Sequence, residues 1–132
     1  MIFLAAPYSH PNEAIRRKRF VRTTDCLIWL LSKRLPVYSP ITYGHACVLY
    51  QNQHPHKFNH YPDLGVSWET WAGISDNILY GCTDFWILTL DGWYESNGLQ
   101  RELEMAKAGK KTIKYIHHLQ EAEFSGPFEE LP

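Results

Sequence analysis

The run Phe85-Trp-Ile-Leu-Thr-Leu90, with the helix that follows it, constrains this chain most. The run is apolar and short, as a buried strand is, and too short for a core helix. A polar stretch follows, and then helix signals. Asn97 is a good N-cap, and Gln100 stands three residues later, as a capping box requires. Gly109 ends the pattern among Lys107, Lys110 and Lys111, where the helix dipole favours cations. A second strand-like run, 111–116, comes next, so one stretch already reads as strand, helix, strand.

The alternation extends to the N-terminus. Ile2-Phe-Leu-Ala5 is a short apolar run closed by Pro7, and reads as a first strand rather than a signal peptide. From Asn12 to about Lys33 the chain is helical, with no Gly or Pro inside. Pro36-Val-Tyr-Ser-Pro40 is a second short strand. Residues 41–65 are the least regular part, with one short helix expected near 45–50. Ser67 opens a further helix, with Thr70 and Trp71 in its first turn, running to about Tyr80. Residues 84–90 are the third strand. These elements predict an α/β fold: a doubly wound, mostly parallel sheet of four to five strands, Rossmann- or flavodoxin-like. Residues 1–118 form one domain, and 119–132 read as an acidic, Pro-bearing tail with a loose end.

Such a sheet binds ligands beyond the carboxyl ends of its strands, where the strand order reverses. In the order 2-1-3-4 that point lies between strands one and three. The loops there are Ala6-Pro-Tyr-Ser-His10 and 91–97. Tyr8, Ser9, Ser96 and the start of the helix at Asn97 and Gly98 are thereby sent to one crevice. Glu102, one turn into that helix, can line it. On a helix, residue i meets i±3 and i±4. Glu102 therefore meets Gly98, Leu99, Met105 and Ala106, all apolar, whereas Glu104 meets Gln100, Arg101, Lys107 and Ala108. Glu104 is most simply a solvated surface residue. Glu102 is either a carboxylate reaching water from the edge of the buried face, or an acid kept in an apolar setting for its chemistry.

With 132 residues, the chain is large enough for a real core. The net charge of −1 argues against a nucleic-acid groove or an anionic membrane surface. The basic cluster Arg16-Arg-Lys-Arg19 reads first as a solvated helix face and second as a local anion site. Cys26, Cys47 and Cys82 have no metal-type spacing, and reduced thiols in a cytoplasmic protein are the plain reading. No run approaches the roughly 18 apolar residues of a membrane span.

The segments Ile2-Phe-Leu-Ala-Ala-Pro-Tyr8, Ser75-Asp-Asn ahead of Thr83-Asp84, Ser96-Asn-Gly-Leu-Gln-Arg-Glu102 and Ala106-Lys-Ala-Gly-Lys110 come in an order that resembles the nucleoside 2-deoxyribosyltransferase superfamily. The likeness is to its short bacterial and phage branch and runs from about residue 2 to 116, weakest between 43 and 65. It implies an enzyme that cleaves the N-glycosidic bond of a deoxynucleoside, by hydrolysis or by deoxyribosyl transfer. Glu102 matches the nucleophile. Asp76, eight residues before Asp84, matches an Asp assisting at the base or sugar. Tyr8 matches an aromatic residue lining the site, and its hydroxyl is the candidate to hydrogen-bond Glu102. Ser96 stands where the transferases carry an Asp for the sugar 5′-hydroxyl, as in the branch that hydrolyses deoxynucleoside 5′-monophosphates. A hydroxyl and free helix N–H groups suit a phosphate better than a carboxylate does. That branch has a glycine-rich, Arg-containing phosphate loop after strand one. This chain has Ala6-Pro-Tyr-Ser-His-Pro-Asn12 there, leaving Arg16, Arg17 or Arg19 as candidates for the charge. The resemblance implies no cofactor and no metal, a nucleoside or nucleotide as the sole partner besides further copies of the chain in a dimer or tetramer, and no nucleic acid polymer or membrane. Trp68, Trp71, Trp93 and Tyr94 are candidate interface residues.

Three other readings stand beside it. One is a binding module that holds a nucleotide without turning it over, and another is a glycohydrolase for a ribonucleotide or a dinucleotide. The third is a metal site in His54-Pro-His-Lys-Phe-Asn-His60, whose spacing is poor for a closed tetrahedral site. No Gly-x-Ser-x-Gly elbow and no glycine-rich first turn appear.

Overall fold

The computed structural model describes residues 1–66, 68–118 and 128–131. The elements run β1 (Ile2–Ala5), α1 (Glu13–Ser32), β2 (Val37–Tyr38), α2 (Pro40–Gln53), a single 3-10 turn (Leu64–Val66), α3 (Trp68–Gly81), β3 (Asp84–Leu88), α4 (Asn97–Ala108), β4 (Thr112–His118) and β5 (Phe128–Leu131). The sheet order is β2-β1-β3-β4-β5. The first four strands are parallel, and β5 pairs antiparallel with β4. The fold is α/β and doubly wound, with order reversal between β1 and β3 as expected. Part of the stretch read as a tail is thus an edge strand, and the expected helix start at Ser67 lies outside the described residues.

Side chains alternate across the sheet, so each strand feeds two cores. Ile2, Leu4, Trp86, Leu88 and Ile116 pack with Cys26 and Leu30 of α1 on one face. Phe3, Ala5, Phe85 and Ile87 pack with Leu79 of α3 and Leu99, Leu103 and Ala106 of α4 on the other. Phe3 and Phe85 are register partners, and their rings stack with centroids 5.6 Å apart. Each such side chain contributes roughly 1.5–3 kcal/mol on burial, so the central strands are the rigid part on which the loops are hung.

Helix boundaries follow local chemistry. Asn12 caps α1 by accepting from Ala14 N at 2.8 Å. Helix α2 is longer than the expected short helix at 45–50. Ser39 caps it, accepting from Thr42 N at 3.2 Å, and Pro40 takes the first turn, where its missing N–H costs nothing. Its sequence period is weak because different elements cover its sides. Thr42 bonds Thr24 of α1 at 2.9 Å, while Gly44 lies under the Trp71 ring of α3. In α4 the cap is Ser96, one residue before the expected Asn97, with its hydroxyl accepting from Leu99 N at 3.3 Å. Gly109 ends α4 with φ −81°, and the left-handed residue is Lys110 at φ 54°.

Candidate functional site

Helix α4 packs on the α3 side of the sheet through Leu99, Leu103 and Ala106. Those positions fix where Glu102 points. It is half-buried, and among the described residues its carboxylate has no hydrogen bond or ion pair. Burial pushes its pKa up to about 7. The neighbouring Arg101 pulls it down, and Asp76 pushes it further up. The acid that stood out in the sequence is therefore held in an apolar setting within electrostatic reach of Asp76.

Asp76, on α3, is paired. Arg101 Nη1 donates to its Oδ2 at 3.0 Å, and Nη2 lies 2.9 Å from Oδ1. Both side chains are more than a third exposed, so the pair contributes little to stability, of order 0–1 kcal/mol. Its effect is on charge beside Glu102. Asp76→Asn should lower the Glu102 titration midpoint and Arg101→Gln should raise it, as followed by carboxyl carbon-13 NMR. Equal midpoints in both variants would mean that Glu102 titrates independently of the pair.

Tyr38 lies within electrostatic reach of Glu102. It ends β2, packs on Phe3 at 6.0 Å and lies 6.2 Å from the Tyr43 ring. Burial raises the pKa of its hydroxyl, with the charges of Tyr43, Glu102 and Cys47 acting in the same direction. The sequence reading passed over Tyr38. The rule that ligands gather at the carboxyl ends of strands would have found it, because it is the last residue of β2.

Tyr8 is committed elsewhere. Its hydroxyl lies 2.6 Å from His45 Nδ1, and no hydrogen bond joins it to Glu102. His45 stacks on Phe20 of α1 at 4.1 Å. Burial, with Arg16 and Arg17 nearby, lowers its pKa, and burial raises that of Tyr8. Both groups are therefore held neutral, and in the tautomer with a bare Nδ1 the Tyr8 O–H donates. The expected Tyr8–Glu102 bond is replaced by a tie from the β1 loop to α2.

Arg19 does not offer its charge to a phosphate here. Its guanidinium donates to the carbonyls of Ser9 at 2.9 Å, Tyr8 at 3.4 Å and Asp91 at 3.1 Å. It thus clamps the β1 loop to the β3 loop at the order reversal. Arg16 likewise donates to the carbonyls of His10 and Pro11. Ser9 is exposed, and Asn97 and Gly98 are exposed at the start of α4, where a Cβ on Gly98 would meet open space. Ser96, half-buried, spends one lone pair on its cap.

Among the described residues no group of three or more His, Cys, Asp or Glu could hold a metal ion. His54 instead has its Nδ1 2.9 Å from the Tyr50 carbonyl. No helix of the described residues is long and apolar enough to cross a membrane. Of the candidate interface aromatics, Trp71 is half-buried and donates to Leu64 O at 2.8 Å, and Trp93 packs on Tyr115 at 5.8 Å. Tyr94 is 70% exposed. The Trp68 side chain lies outside the described set.

A doubly wound α/β domain with an unpaired, half-buried acid on the helix that follows β3 is the class that fold and site define. Residues 1–118 match the family model of a domain of unknown function, DUF1937, and the chain belongs to that family. A comparison with curated proteins finds no match.

Proposed function

We propose that the protein cleaves the N-glycosidic bond of a deoxynucleoside or a deoxynucleoside 5′-monophosphate, with Glu102 as nucleophile. The observation that carries this reading is the Glu102 carboxylate itself: half-buried, without a hydrogen bond or ion pair, and next to a second carboxylate. N-glycosides break through an oxocarbenium-like transition state. A poorly solvated carboxylate on the face opposite the base stabilises that charge and can attack the anomeric carbon. The base leaves with a proton from water, and the glycosyl ester is then opened by water, or by a second base in transfer. Asp76, fixed by Arg101, acts as an acceptor that orients base or sugar. Ser96 and the exposed N–H groups of Asn97 and Gly98 suit a 5′-substituent. We further propose a cytoplasmic homo-oligomer whose only other partner is this small molecule.

Free-base release by chromatography, from a panel of deoxynucleosides and their 5′-monophosphates, tests the assignment. Release expected from the wild type should vanish in Glu102→Ala. Release confined to monophosphates selects the hydrolase form. Silence across the panel with ligand-induced thermal stabilisation intact would replace the enzyme by a nucleotide-binding module.

A further inference from the structure

A cavity of about 440 Å³ lies between α2 and the segment that follows it, apart from the groups already assigned. Ala46, Cys47 and Tyr50 form its α2 wall, and Phe58, Tyr61 and Leu64 the opposite one. Its size falls in the ~300–1,000 Å³ range of small-ligand sites and exceeds the ~150 Å³ that holds a benzene. The rings interlock edge to face, Tyr50 on Phe58 at 5.9 Å and Phe58 on Tyr61 at 5.6 Å.

The amide in the wall is already used. Gln51 Nε2 donates to Pro62 O at 2.8 Å, and Oε1 accepts from Leu64 N at 2.9 Å. The Tyr50 hydroxyl accepts from Lys57 Nζ at 3.2 Å. An occupant is therefore held mainly by its faces and volume, and its edges are not read by that amide. A charged occupant would lose its hydration without compensation.

Neighbouring residues lead from the cavity towards Glu102. Cys47 lines it and lies in electrostatic reach of Tyr38, which in turn feels the charge of Glu102. Tyr43, one helical turn before Cys47 on α2, has its ring 6.2 Å from that of Tyr38 and 6.3 Å from that of Trp71. We infer that this cavity binds a flat, uncharged aromatic ring and forms the apolar end of the Glu102 crevice. Resting on the N-glycosidase reading, the ring is the leaving base, and discrimination among bases is weak because the lining offers few groups to read them.

Cys47 reports occupancy directly. It is half-buried, whereas Cys26 and Cys82 are buried. Modification of Cys47 by N-ethylmaleimide, followed by peptide mass spectrometry, is measured with and without indole. At indole about ten times its dissociation constant, the rate should fall about tenfold. The fall should be the same in Glu102→Gln, and Ala46→Phe, which fills the cavity, should abolish it with the circular dichroism spectrum unchanged. An unchanged Cys47 rate up to the solubility limit of indole would overturn the proposal. So would slowing that needs no indole and grows with protein concentration, since a second copy would then cover the cavity. Protection by indole without base release from any nucleoside would remove the glycosidase reading and leave the aromatic pocket standing.

Discussion

Glu102→Gln should yield a protein that is more stable than the wild type at pH 8 and inactive. The stability follows from proton linkage. An unfolded Glu ionises near 4.3, while Glu102 in the fold ionises at about 7. Between those values the folded protein holds a proton that the unfolded chain has released. Stability therefore falls as pH rises from about 4 through 7 and levels off above. The neutral amide has no such term. The difference should be about 2–3 kcal/mol at pH 8, allowing for partial exposure, and within a few tenths at pH 4. For a domain of this size, that is a rise in melting temperature of roughly 6–10 °C at the higher pH. Thermal melts of both proteins across this range measure it. Equal melting temperatures at every pH would mean that the carboxylate is solvated and costs the fold nothing.

The same substitution removes the charge that the proposed transition state needs. The loss of base release should be at least about a thousandfold, since the amide can neither attack nor balance an oxocarbenium ion. Stability and activity moving in opposite directions distinguish a functional carboxylate from a structural one, where removal costs both. In the wild type the rate should rise with pH as Glu102 ionises, with a midpoint of about 7.

Much of this site was legible because α4 is regular. The neighbours of Glu102 at i±3 and i±4 are set by helical geometry alone, so its apolar setting could be read without coordinates. The four parallel strands and the reversal between β1 and β3 followed from the alternation of short apolar runs. What escaped has physical reasons. His45, the partner of Tyr8, lies 37 residues away on a helix whose sides face several elements, and so shows little period. Arg19 bonds main-chain carbonyls, which every residue has, so nothing in the sequence marks them as partners. Arg101 reads in the sequence only as a neighbour of Glu104, because its pairing with Asp76 spans α4 and α3 and has no local spacing.

Gly92→Ala should destabilise the protein by about 2–3 kcal/mol and widen the crevice. Gly92 has φ +87°, a conformation that costs an L-residue of order 1 kcal/mol or more. A Cβ there would also stand 2.5 Å from Arg19 Nη2. Guanidinium and methyl cannot share that space, so Arg19 must give up its bond to the Asp91 carbonyl. The bonds to Ser9 and Tyr8 then hold only one loop instead of joining two. Arg19→Ala supplies the comparison: it removes the clamp but leaves the backbone of Gly92 at ease. The two variants lose stability for different reasons: the glycine variant through the strained φ and one bond, the arginine variant through all three bonds and no strain. Urea melts of the two variants and their double mutant measure the coupling. If Gly92→Ala costs as much in the Arg19→Ala background as in the wild type, the steric conflict with the guanidinium is absent and the strain is backbone alone. If the two effects fail to add, the β1 and β3 loops are held at the crevice by one arginine, and the glycine is there to make room for it.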